Sequence, residues 1–276
     1  MPRLLLRSPP TSLAKGIVSH IADQRETVDY KKALQQWQAY GDIFEKYGWQ
    51  ISKVEQDDSL PDSVFVEDGI ISIDNLLDDK IEKPGLLIFA SPGNSAREGE
   101  IAGIQLAIQS SLPQHAHAEI LKPGKLDGGD ILKIPSKQLI YIGNSARTNV
   151  EGIRQFTALV QPLGWKVETI PVKKALHLKS MLTALPDGTV IGYQPLLEDC
   201  GVFDKFIAMP EAEGVAVVHL NIDPTDKATP LLISASAPKS FKILEDLGHK
   251  LVKAEVSEFE KLEGCVTCLS VRIRHD

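Results

Sequence analysis

The alternation of apolar and polar positions divides the chain into many short strands and fewer, longer helices. Leu4, Leu5 and Leu6 form an apolar run between Arg3 and Arg7, closed by Pro9-Pro10, which reads as a first strand. From Thr27 to Tyr47 the spacing becomes helical, with Leu34, Trp37, Tyr40, Ile43 and Phe44 on one face. Strand-like runs follow at Trp49–Val54, Val64–Val66, Ile70–Ile73 and Leu86–Phe89, and then a helix from Arg97 to about Ser110. Ala118–Leu121, Ile131–Ile134 and Leu139–Ile142 predict further strands, and Val150–Val160 a helix. Strands are expected again at Lys166–Ile170, Leu178–Ala184, Val190–Gly192, Val215–Val218 and Leu231–Ser234. The last stretch gives a helix over Pro238–Leu247, a strand Lys250–Val252, a short helix Val256–Lys261 and a final strand Leu269–Ile273. Strands outnumber helices and most helices lie between two strands, so the fold class is α/β. No linker-like or low-complexity stretch interrupts the 276 residues, and one domain spanning 1–276 is expected.

An internal repeat adds to this picture. Gly93-Asn-Ser-Ala-Arg97 recurs verbatim as Gly143-Asn-Ser-Ala-Arg147, each copy after an apolar strand and before a helix. Serine and asparagine also cap helices, so two similar strand-to-helix turns would suffice to explain it. Repeats with a period near fifty residues belong to propellers or solenoids, and about five such units fit this length.

Composition narrows the function classes. Apolar residues make up 43% and charged residues 24%, as in ordinary soluble domains. The net charge of −7 is spread without a basic stripe, which argues against nucleic acid and mildly favours a cationic small substrate. Cys200, Cys265 and Cys268 do not make a disulfide framework. Neither a signal-peptide core nor a membrane span is legible, so a cytoplasmic setting is expected.

Four clusters carry candidate chemistry. In Leu60-Pro-Asp-Ser-Val-Phe-Val-Glu-Asp-Gly69, Glu67 and Asp68 end an apolar run, with Asp62 close by. Side chains alternate along a strand, so burial of at least one acid is at stake, and a buried carboxylate needs a cation or hydrogen-bond donors. A hairpin turn with solvated acids is the plainer alternative. In Leu126-Asp-Gly-Gly-Asp130 the paired glycines permit close backbone approach, or simply a turn. His177, between Leu176 and Leu178, has the surroundings of a partly buried imidazole sensitive to a nearby carboxylate, and equally of a core histidine. Cys265-Val-Thr-Cys268 leads into the final strand. Zinc would need more ligands at suitable spacing, and thioredoxin-type pairs sit before a helix, so one nucleophilic cysteine with a distant histidine fits better.

In this order and wording the four clusters resemble the dimethylarginine dimethylaminohydrolase family of the guanidine-modifying superfamily, over nearly the whole chain. The resemblance implies a five-bladed α/β propeller of ββαβ units, which would account for the repeat. It implies Cys268 as nucleophile, His177 as general acid/base and Asp127 as the acid that orients it. Asp62, Glu67 and Asp68 match substrate-binding carboxylates, and Arg97 and Arg147 match arginines that bind the substrate's carboxylate. Val18 would lie in a loop over the substrate, although Lys15–Thr27 departs from the family wording. No metal or cofactor is implied, and the partner is a small methylated arginine, handled by a monomer or homodimer.

The chemistry suits the residue types, because a delocalised guanidinium is a poor electrophile that calls for a thiolate, and carboxylates hold it by charge-assisted hydrogen bonds. Arginine deiminases carry an acid where this chain has Lys179, and agmatine lacks the carboxylate that two arginines would bind; both features favour methylated arginine. Arginine or agmatine deimination, a non-catalytic propeller and a zinc or redox protein built on Cys265 and Cys268 are the competing readings.

Overall fold

The structure, a computed structural model, describes residues 2–18, 27–75, 85–223 and 226–274. Five three-stranded sheets repeat one wiring: a first strand lies antiparallel to a second, which crosses over to a parallel third. One sheet joins β3 (Ile70–Ile73), β4 (Leu86–Phe89) and β5 (His117–Glu119), with α2 (Glu100–Ser111) in the crossover. The next joins β6 (Ile131–Ile134), β7 (Leu139–Asn144) and β8 (Lys166–Pro171) around α3 (Val150–Val160). Then come β9 (Leu182–Ala184), β10 (Val190–Gly192) and β11 (Phe206–Ala208), followed by β12 (Val217–His219), β13 (Leu231–Ser234) and β14 (Leu251–Ala254) with α4 (Pro238–Asp246). The remaining sheet closes the ring with both ends of the chain. There β15 (Val271–Ile273) pairs antiparallel with β1 (Arg3–Arg7) in the register Arg3↔Ile273, and β1 runs parallel to β2 (Gln50–Val54) through α1 (Tyr30–Lys46). Five ββαβ units make the expected α/β propeller.

Parallel neighbours need a crossover of about a dozen residues, and a helix is its usual form. Local chemistry starts these helices: the Asp29 side chain accepts from Lys32 N–H at 3.1 Å, and Asn149 Oδ1 accepts from Gly152 N–H at 2.8 Å. The β10–β11 crossover departs from the pattern, with a single 3₁₀ turn at Gln194–Leu196 in place of a helix. Its Pro195 and Gly201 interrupt any helical period. The core lies between sheets; Leu4, Leu6, Trp37, Tyr40, Phe44, Trp49, Phe259 and Val266 pack as one buried cluster.

Several expected boundaries shift, mostly near the clusters singled out above. Val64–Val66 is not a strand; hydrogen-bonded turns bring the chain into a 3₁₀ turn, Val66–Asp68, that lodges both acids inside the protein. Leu178–Ser180 is likewise a 3₁₀ turn, and β9 starts only at Leu182. Arg97 ends a 3₁₀ turn, with α2 beginning at Glu100, and Cys268 and Leu269 lie in a turn before β15. The short strand β11 carries too few residues to register as a period.

Tyr40 ties α1 to the cysteine-bearing turn: its hydroxyl donates to the Val266 carbonyl at 2.7 Å and meets Ser270 Oγ at 2.8 Å. Tyr40→Phe leaves these buried groups without their partner, and a loss of about 1–2 kcal/mol is expected. Urea unfolding with an unchanged m-value would measure it; an unshifted midpoint would contradict this role.

Candidate active site

The turn before β3 brings a pair of acids inward. Asp68 Oδ1 accepts the Gly129 N–H at 3.0 Å and Oδ2 accepts Arg97 Nη1 at 2.5 Å. Arg97 is itself buried and committed. Its Nε and Nη2 grip Glu100 at 2.8 Å each, and Nη2 also reaches the carbonyls of Phe65 at 3.2 Å and Asp62 at 3.3 Å. Glu67 N–H donates to the Cys268 carbonyl at 3.3 Å, joining this turn to the cysteine turn.

Before β6, Asp127 has no solvent exposure. Its Oδ1 accepts the Gly93 N–H at 2.7 Å, and its Oδ2 meets His177 Nε2 at 3.0 Å and Arg147 Nη1 at 3.4 Å. Asp130 accepts Leu178 N–H at 2.9 Å and Ser145 Oγ–H at 2.7 Å, fixing the turns that carry His177 and Arg147. The glycine pair works by close approach: a Cβ on Gly129 would stand 2.7 Å from His177 Cγ and from Asp68 Oδ1, and one on Gly128 2.0 Å from the Glu67 carbonyl. The two copies of the repeat also touch, since a Cβ on Gly93 would stand 2.3 Å from the Arg147 carbonyl.

These segments converge on a partly open cavity of about 20 Å³ lined by Asp62, Asp68, Arg97, Arg147, His177 and Cys268, with Ile17, Phe65, Leu176, Leu262, Glu263 and Gly264. Of the residues singled out in the sequence, six therefore share one chamber. Glu67 does not line it. It pairs with Lys179 Nζ at 2.5 Å and faces a second cavity on the propeller axis. Val18 also stays outside the lining and packs against the core cluster around α1. Its neighbour Ile17 takes the wall position, with its N–H on the Asp62 carboxylate at 3.0 and 3.1 Å. Residues 19–26 of the loop expected over the substrate lie outside the described residues. Sequence reasoning passed over Glu100 and Ile17; Glu100, three residues from Arg97 in a helix-start pattern, was the one with a readable signal.

Electrostatics sorts the groups. Burial disfavours the His177 imidazolium, but Asp68, the hydrogen bond to Asp127 and the Asp130 charge outweigh it and raise its pKa to about 9. Burial likewise would raise Asp68; the His177 and Arg97 charges overcome it and hold the carboxyl at about 2. Asp62 is pushed up by burial. Cys268 Sγ lies 3.3 Å from Cys265 Sγ, and that contact, burial and the Glu67 and Asp68 charges push its thiol well above the ordinary value. Asp68, Asp127 and His177 have ligand atoms within 4.8 Å of one another, a metal-like grouping. His177 lies 3.0 Å from Asp127 and 3.8 Å from Asp68, and its raised pKa favours an ion network with both acids.

A buried cysteine, a histidine clasped by carboxylates and two arginines share one chamber of a five-bladed propeller, the layout of an α/β-propeller enzyme. No family model matches the chain. A curated relative from Streptomyces coelicolor, named N(G),N(G)-dimethylarginine dimethylaminohydrolase, is 44% identical over 272 residues, covering 99% of this chain and 97% of the relative. The chain belongs to the dimethylarginine dimethylaminohydrolase family. A solved dimethylarginine dimethylaminohydrolase in adduct with S-methyl-L-thiocitrulline matches with a TM-score of 0.83 at 28% identity, covering 99% of this chain and 100% of that one. The Pseudomonas aeruginosa enzyme, solved as a cysteine variant with citrulline, matches with a TM-score of 0.81 at 28% identity, over 98% of each chain. No helix among the described residues is long and apolar enough to cross a membrane.

The raised His177 value has a sign that can be checked. The folded pKa of about 9 lies above the ordinary 6.5, so this histidine's stabilisation is complete below 6.5 and is lost as pH rises through about 9. Asp68 works the other way, adding stability above its ordinary 3.8 that disappears as pH falls toward 2. An imidazole NMR titration should give a midpoint near 9, moving lower in Asp127→Asn. A midpoint near 6.5 in the unaltered protein would refute the ion network.

Proposed function

We propose that the chain hydrolyses Nω-methylated arginines, asymmetric dimethylarginine and monomethylarginine, to citrulline and the corresponding methylamine. The observation that carries this reading is the shared chamber: Cys268, His177, Asp68 and Arg147 line one cavity, within a fold that matches named relatives end to end. Citrulline, the product expected here, is the ligand of the Pseudomonas aeruginosa structure.

The roles follow from charge and position. Cys268 rests as a thiol, and a bound guanidinium beside it lowers its pKa and releases the thiolate. The thiolate attacks the guanidinium carbon, forming an S–C bond. His177, already protonated at neutral pH, gives its proton to the departing dimethylamine as the C–N bond breaks. A thiouronium remains on Cys268. The now neutral imidazole takes a proton from water, the hydroxide adds to the same carbon, and the S–C bond breaks to give citrulline. Asp127 holds the ring through Nε2, and Asp68 faces its Nδ1 at 3.8 Å. Both carboxylates favour the imidazolium that acts as the acid.

Arg147 is the arginine suited to the substrate's own carboxylate, because its side chain keeps some exposure and only one long bond to Asp127. Arg97 acts by fixing Asp68, its donors being already engaged. Lys179 neutralises Glu67 instead of adding an acid to the guanidinium site, so methylated nitrogens, which have fewer protons to donate, leave no acceptor unpaired. The chamber of about 20 Å³ has room for roughly one water molecule. Ile17 and the Leu262–Gly264 wall must therefore give way when substrate enters.

Citrulline release from asymmetric dimethylarginine, monomethylarginine, arginine and agmatine tests the reading. Turnover of the methylated pair is expected, with a loss on the order of 10³-fold or more in Cys268→Ser, while Cys265→Ser retains activity. Turnover of arginine or agmatine alone would reassign the substrate, and equal losses in both cysteine variants would favour a zinc or redox pair.

A further inference from the structure

The cavity on the propeller axis has a composition that the proposed chemistry does not use. It encloses about 90 Å³ among the first strands of the five sheets, β3, β6, β9, β12 and β15. Lys133, Lys179, Arg272 and Arg274 line it, and Glu67 is the one carboxylate in the lining among the described residues. The Glu67–Lys179 pair lines this cavity, and neither residue lines the Cys268 chamber.

Most of these cations are accounted for. Lys179 pairs with Glu67, Lys133 Nζ donates to the Ser72 carbonyl, and Arg274 donates from Nε to the Ile222 carbonyl at 2.9 Å while its Nη1 lies 3.5 Å from Asp74. His219 Nε2 donates to the Ala184 carbonyl at 3.0 Å, and burial lowers its pKa to about 3, so it adds no charge. Arg272 is different. Its Nε is buried without a hydrogen-bond partner, and no hydrogen bond or ion pair links its guanidinium to another described residue. Strand alternation on β15 sends Val271 and Ile273 into a hydrophobic cluster and turns Arg272 to the other face, toward the axis. Lys179, Arg272 and Arg274, with Lys133 beside them, thus share two carboxylates: Glu67 and Asp74 act on Arg272 only as acids already paired with Lys179 and Arg274, and burial still lowers its pKa. The strain is visible in Lys133, whose pKa burial lowers to about 7 with Arg274, Arg272 and Lys179 adding to the fall.

We propose that the axial cavity is a binding site for a small inorganic anion, held by Arg272 with Lys133 beside it. The forked guanidinium suits an oxoanion, and a halide would satisfy the same charge. At about 90 Å³ the cavity has room for several waters or for a group the size of phosphate. The site is independent of the substrate reading given above.

The test is the melting temperature of the full chain in gluconate, a bulky organic anion that serves as the reference, with inorganic phosphate or chloride titrated in at constant ionic strength. A saturable rise of about 2–4 °C is expected. Arg272→Met, which keeps the stem and removes the charge, should melt higher than the unaltered protein in gluconate and lose the response. A response that persists undiminished in Arg272→Met would move the anion to Arg97 and Arg147 and overturn the proposal, as would equal melting in all three salts. Should the variant fail to fold, bromide-soaked crystals of the unaltered protein decide the matter: an anomalous peak beside Arg272 supports the site, and its absence there overturns it.

Discussion

A carboxylate with no access to water holds the site together. Asp127 would be ruinous at zero exposure were it not met by the Gly93 amide, the His177 ring and the Arg147 guanidinium. Each donor comes from a different place: the turn after β4, the turn before β9 and the turn after β7. One buried charge therefore fixes three connections at once, and none can drift without leaving it unpaired. Asp130 repeats the device one turn further on, bonding the backbone that follows His177 and the serine that precedes Arg147.

From that anchor the charges alternate across the chamber. Asp127 and Asp68 flank the imidazolium, Arg97 lies beyond Asp68, and Glu100 beyond Arg97. Opposite charges adjoin at every step, which lets these five groups share burial and tilts His177 strongly toward its protonated form. The axial cavity lacks such alternation. There Glu67 and Asp74 are taken by Lys179 and Arg274, and Arg272 is left with no paired acid of its own. The contrast is informative because both regions belong to one ring of strands built from the same wiring.

Much of this was legible in the sequence where local pattern and local structure agree. The helices over α1 and α3, most strands and the meaning of the paired glycines follow from periodicity and sterics. The failures share a cause. Val64–Val66 and Leu178 look like strand because they are apolar and buried, yet they form 3₁₀ turns, since the job of these segments is to carry Asp68 and His177 inward. Burial explains apolar content without fixing the period. Glu67 stands apart for another reason: its neighbour Asp68 enters the chamber, and adjacent residues on a tight turn face different cavities. Val18 and Ile17 differ by a single step in a loop with no periodic signal at all. The partnership of Arg97 with Glu100 is tertiary in its consequence, because it withdraws one of two sequence-identical arginines from solvent. The repeated pentapeptide thus ends in one arginine spent on structure and one with donors to spare, a difference that its identical wording cannot carry.

Under the mechanism proposed above, the same alternation keeps Cys268 waiting for its substrate. Cys268 sits 3.3 Å from a second sulfur and under the negative charge of Glu67 and Asp68, so its proton stays on in the resting protein. A thiolate there would add one more anion to a region whose acids are already paired. Only an arriving cation changes that balance, and a guanidinium does so at the very atom to be attacked. The arrangement couples recognition to activation: a neutral molecule of the same shape could enter the chamber and find a thiol. It also gives Lys179 a purpose beyond neutralising Glu67. By occupying that carboxylate it keeps the acids that face the chamber few, so that a guanidinium carrying methyl groups can be balanced without every nitrogen having to donate.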